Sequence, residues 1–178
     1  MKKVHKNFTE IFFRYFILIL ASLNSLGIFY FIFTVLTIYP VFIILGFFFN
    51  TLLINNVIII NNKIPIELIR ACIAGSAYYL LLILNLSTPG IKIKKRIMMI
   101  FFAFASLLVI NILRIVILSA ILLQNFSIFI TAHQFVWYFM STIFIIAIWF
   151  SEVKIFKIKE VPFYSDVRLL YKHSFLKR

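Results

Sequence analysis

The chain has 178 residues, 64% of them hydrophobic, and a mean hydropathy of +1.10. A soluble domain is about 45–50% apolar, so this much apolar surface excludes water as its main solvent and calls for a bilayer. The formal charge of +13 arises from 18 Lys and Arg against 5 Asp and Glu, but the cations gather at the two ends and in one short loop. That spacing fits the positive-inside rule and anionic headgroups, and no nucleic-acid partner is expected.

Apolar runs near or above ~18 residues recur, which predicts an all-α integral membrane protein with about four or five spans. A transmembrane barrel would need many alternating segments of ~10 residues. Residues 1–10 are polar and basic, with Lys2, Lys3 and Lys6. An apolar run follows with no convincing small-residue cleavage site, so it reads as a retained anchor. Ile11 to Phe49 is almost unbroken apolar sequence, with weak points at Asn24, Ser25, Gly27 and Pro40. Two arrangements fit: two short spans, or one span plus a segment that crosses incompletely. A cytoplasmic N-terminus requires an odd number of crossings before the sequence continues outside.

From Asn50 to Arg70 the character changes. Val57 to Ile60 is β-branched, Asn61-Asn62 is a turn signal, and Lys63 to Ile69 alternates around Pro65. These features predict a small extracellular β-hairpin or extended cap. A helix is expected from Ala71 to Ser87, ending before Pro89-Gly90. The Ile91–Arg96 loop carries Lys92, Lys94, Lys95 and Arg96 and marks the cytoplasmic side. Ile97 to Leu123 reads as the next span, Gln124 to Thr131 as a short external loop, and Ala132 to Phe150 as the last span. Ser151 to Arg178 reads as a basic cytoplasmic tail. The whole is one membrane domain: an anchor region (1–49), a cap (50–70), a three-helix core (71–150) and the tail (151–178).

With the 91–96 loop inside, three helices bring polar residues to one outer level. Cys72, the only cysteine, stands at the outer start of one helix. Arg114 lies about 26 Å along the next, at ~1.5 Å per residue, close to the far side of a core ~30 Å thick. His133 opens the last. A thiol becomes a nucleophile as its thiolate, which a helix start and a nearby cation favour. His133 is a candidate base and acid, and Arg114 a candidate oxyanion partner. Asn111, three residues before Arg114, shares its face and could steady it. Gly75 and Ser76, one turn from Cys72, would let a helix or a substrate strand approach closely. Singly, each has a packing role available: a cysteine fills space, a histidine caps, an arginine snorkels. Tyr78, Tyr79, Trp137 and Tyr138 read as interfacial anchors. No metal or other cofactor is expected.

The ordered set Cys72-Ile73-Ala74-Gly75, Asn111-Ile112-Leu113-Arg114 and His133 resembles the exosortase/archaeosortase family. The run ACIAGSAYYLLLILNLSTP is similar to its archaeal branch, among the shorter archaeosortase-like members, and the likeness covers roughly Asn50 to Phe150. The resemblance implies a cysteine transpeptidase or peptidase of protein sorting. Such enzymes cleave the C-terminal sorting signal of exported surface proteins through a thioester and pass the acyl group to an amine, in all expectation on a membrane lipid. Cys72 would be the nucleophile, His133 the base and Arg114 the oxyanion or substrate-orienting cation. Many members have more spans than this chain has room for. The competing reading is a non-enzymatic membrane transport or assembly subunit in which Arg114 binds an anion or a partner helix.

Overall fold

The computed structural model describes residues 2–158 and residue 162. In chain order these form α1 (Lys2–Gly46), β1 (Thr51–Ile54), β2 (Val57–Ile60), β3 (Ile64–Glu67), α2 (Arg70–Ile73), α3 (Gly75–Leu86), α4 (Ile93–Gln124), α5 (Phe126–Phe135), a π-helical turn (Val136–Met140) and α6 (Ser141–Ile155). Of the expected basic tail, Ser151 to Ile155 instead completes α6. Lys159, Arg168, Lys172, Lys177 and Arg178 lie outside the described residues.

The apolar N-terminal run forms α1, with a marked fault where the sequence is weakest. Ser25 (φ 51°) and Leu26 (φ 61°) take left-handed backbone, which side-chain-bearing residues adopt only at a cost. Pro40 sits inside the second part and removes one helical hydrogen bond there. On both sides of that fault α1 lies antiparallel to α3. Arg14 Nη1 donates to the Leu86 carbonyl (2.9 Å), the Tyr79 hydroxyl to the Leu18 carbonyl (3.1 Å), and Gly75 faces the Tyr30 ring. Helix α1 is therefore packed into the bundle.

The predicted hairpin is a three-stranded antiparallel meander, in the order β1-β2-β3. Asn55, Asn61 and Asn62 supply the positive φ its turns need. Pro65 does not prevent the third strand, because β3 is an edge and an edge tolerates a missing N–H. Ile58 and Ile60 are fully buried, while Leu52 and Ile54 on the opposite face are half exposed. This alternation follows the period of two of a strand.

Three further expectations are corrected. The helix predicted over Ala71–Ser87 breaks at Ala74, whose left-handed backbone (φ 59°) ends α2 and begins α3. The 91–96 loop is shortened because α4 starts at Ile93, and Arg96 turns inward. The external loop over Gln124–Thr131 is reduced to Asn125. Its side-chain oxygen accepts from the Ser127 and Ile128 amides at 2.9 and 3.2 Å and caps α5. The apolar residues that follow then join the helix, so His133 lies within α5 and not at the start of a span. The two halves of the last helical stretch meet at a 42° bend.

Helix α3 is packed by α1, α4 and α6. At the centre Phe33 stacks on Tyr78 with ring centroids 3.5 Å apart, and Phe104 meets both edge-on at 5.5 and 5.6 Å. Tyr78 is thus a buried core ring, not an interfacial anchor, and half-buried Tyr79 holds α1. Trp137 and Tyr138 are exposed. Outside, large apolar side chains face the surroundings: Phe31 is 79% and Phe47 80% exposed. In water this exterior would be an aggregating surface. Among the described residues two segments, Ser25–Gly46 and Ile93–Gln124, are long and apolar enough to cross a membrane, or three if the bent α5–α6 pair crosses as one. Arg70–Leu86 is apolar but shorter. These features are consistent with a membrane protein.

Candidate functional site

Cys72, Arg114 and His133 line one shallow cleft with Ala71, Leu118, Val136 and Trp137. Its empty space, open to the surroundings, is about 230 Å³. The residues arrive on separate elements: Cys72 on α2, Arg114 and Leu118 on α4, His133 on α5, Val136 and Trp137 on the π turn. A π turn widens the helix and shifts the residues that follow it. Here it also delivers Ser141, whose hydroxyl donates to the Val136 carbonyl (3.2 Å) and accepts from Arg114 Nη1 (3.4 Å).

The backbone of Cys72 is held from two directions. Its N–H donates to the Ile69 carbonyl at 2.8 Å. Its carbonyl accepts from Asn111 Nδ2 at 2.8 Å and from Arg114 Nη2 at 3.3 Å. Asn111 is therefore beside Arg114 through a shared acceptor and does not grip the guanidinium itself. Buried Arg114 Nε has no hydrogen-bond partner. Among the described residues the His133 imidazole makes no hydrogen bond; its ring lies against Phe129, with centroids 5.4 Å apart.

The electrostatics differ from the sequence expectation. Cys72 lies in α2, outside the long apolar helices and ahead of α3, so the N-terminus of the longer helix starts three residues too late to act on it.

Gly75 and Ser76 part company. Gly75 is buried, and a Cβ there would stand 2.8 Å from the Tyr30 ring, so its smallness serves the packing of α1 on α3. Ser76 is exposed and outside the cleft lining. Among the described residues no three His, Cys, Asp or Glu side chains are grouped as metal ligands.

Sequence reasoning missed a second polar cluster, at the other end of α3. Arg96 is buried and donates to the main-chain carbonyls of Asn85, Leu86 (3.1 Å) and Thr88 (2.8 Å). Asn85 Nδ2 donates to the Leu81 carbonyl (3.0 Å) and to Glu152 Oε2 (3.1 Å), and Glu152 is fully buried. The signal was present: Glu152 is the one acidic residue between Glu67 and Glu160, inside an apolar run. Ser141 carried no such signal.

Comparison with protein-family models, with curated proteins and with solved structures finds no match for the chain.

Proposed function

We propose that the protein is a membrane-embedded cysteine peptidase or transpeptidase of the exosortase/archaeosortase kind, acting on C-terminal sorting signals of exported proteins. The observation that carries this reading is the shared cleft of Cys72, Arg114 and His133. The proposed topology has four crossings: α1 outward, α2–α3 inward, α4 outward and α5–α6 inward. The sheet and the cleft then face outside, while the N-terminus, the 91–96 loop and the C-terminus face the cytoplasm.

In this reading His133 accepts the thiol proton, and the Cys72 thiolate attacks the scissile carbonyl. The tetrahedral oxyanion forms close to Arg114, whose Nε–H has no partner at rest. Collapse breaks the C–N bond, gives a thioester on Cys72 and releases an amine that takes its proton from His133. An incoming amine, on a lipid in the transfer reaction, or water then opens the thioester. Resting cleft geometry is commonly looser than that of the substrate complex, in keeping with an imidazole that makes no hydrogen bond. The test is co-expression with a tagged protein bearing a motif, a transmembrane helix and a basic cluster at its C-terminus. Cys72→Ala should abolish processing, and unchanged processing would reject the proposal.

One observation favours the non-enzymatic reading: Arg114 already bonds the Cys72 carbonyl and Ser141, as a residue joining helices would. An assembly or transport subunit of that kind would tolerate Cys72→Ser and Cys72→Ala but fail with Arg114→Ala.

A further inference from the structure

The inner end of the bundle holds a carboxyl whose surroundings do not suit a charge. Glu152, on α6, has no exposed surface, and the one hydrogen bond of its carboxyl among the described residues is accepted from Asn85 on α3. Its second oxygen, Oε1, is buried without a partner. The Asn85 carboxamide is fixed in orientation because Nδ2 serves two acceptors, the Leu81 carbonyl and Glu152 Oε2. Its oxygen, Oδ1, is the other buried atom here left without a partner. The cations on the helices packed around this pair donate to main-chain carbonyls: Arg96 on α4 to Asn85, Leu86 and Thr88, and Arg14 on α1 to Leu86.

An ionised carboxylate here would be a buried charge with one neutral donor, an expensive state. It would also leave two acceptors unsatisfied on groups that already touch, and acceptors cannot satisfy each other. One added proton answers both deficits. It removes the charge and turns Oε1 into a donor, and Asn85 Oδ1 is the open acceptor on the same partner. The geometry points to Glu152 and Asn85 as a proton-binding site, in which Glu152 is held as the neutral acid and bonded reciprocally to the Asn85 carboxamide. An ionisable residue inside a membrane bundle is a functional candidate by default, and this one ties α3 to α6 independently of the chemistry proposed for Cys72.

The chain has only 5 Asp and Glu, so its carboxyl vibrations can be assigned. The experiment is infrared spectroscopy of the full chain in lipid at neutral pH, in H2O and D2O, on the wild type, Glu152→Gln and Glu67→Gln. The expected result is a protonated-carboxyl C=O band that shifts in D2O, is lost in Glu152→Gln and survives in exposed Glu67→Gln. Glu152→Gln, whose amide can make the same two bonds, should fold and melt with the wild type. Absence of the band from the wild type, its persistence in Glu152→Gln, or failure of Glu152→Gln to fold would each overturn the assignment.

Discussion

The two ends of α3 carry polar clusters built on opposite plans. At the Cys72 end, donors outnumber acceptors. Asn111 and Arg114 share one carbonyl, Arg114 Nε is unpartnered, and the cleft is open. At the Asn85 end, Arg96 donates to three main-chain carbonyls, and the unpartnered atoms are acceptors, Asn85 Oδ1 and Glu152 Oε1, sealed from the surface. Arg96 and Arg114 are about 27 Å apart along α4 at ~1.5 Å per residue. A surplus of donors beside a cleft suits developing negative charge on a visitor. A closed end whose cation bonds main-chain carbonyls suits holding helices in register. The contrast predicts that changes at the first end act on reactivity and changes at the second on stability.

The largest expected effect is loss of processing in Cys72→Ala, with the fold intact by circular dichroism in detergent. Next, Arg114→Ala should lower the processing rate by about 10²–10³-fold, the loss typical of one oxyanion donor. Arg114→Lys should recover only part, since a point charge lacks the planar fork. Equal processing by Arg114→Ala and wild type would erase the distinction between the ends. At the other end, Arg96→Ala should leave processing per folded molecule unchanged and destabilise the chain by several kcal/mol, at about 1.5–3 kcal/mol per hydrogen bond to a charged group. Denaturant melts of the reconstituted protein would measure this. Gly75→Ala, between the ends, should lose about 1–3 kcal/mol by overpacking against Tyr30, and Tyr30→Leu in the same chain should restore much of it.

Much of the helical frame was legible because apolar length is a strong signal. The fault at Ser25–Leu26, the β-branched Val57–Ile60 strand and the Asn turns were marked by composition. The meeting of Cys72, Arg114 and His133 followed from loop charge and helix rise, although His133 arrives within α5 rather than at a span's first turn. What failed was reading polar residues as surface. Arg96 was counted as a loop cation because Lys92, Lys94 and Lys95 precede it, yet carbonyls at the end of α3 draw it inward. Tyr78 was taken for an anchor because tyrosine favours interfaces, but stacking on Phe33 outweighed that. The break at Ala74 had no local signal, since alanine is the strongest helix former.

The left-handed residue at Ala74 settles what the sulfur is referenced to. Cys72 is tied back to Ile69, at the start of α2, and sideways through its carbonyl to α4. The longer helix α3 begins only after Ala74. Insertions, deletions or a thicker bilayer that lengthen or slide α3 can thus be absorbed at one residue, leaving the thiol in place.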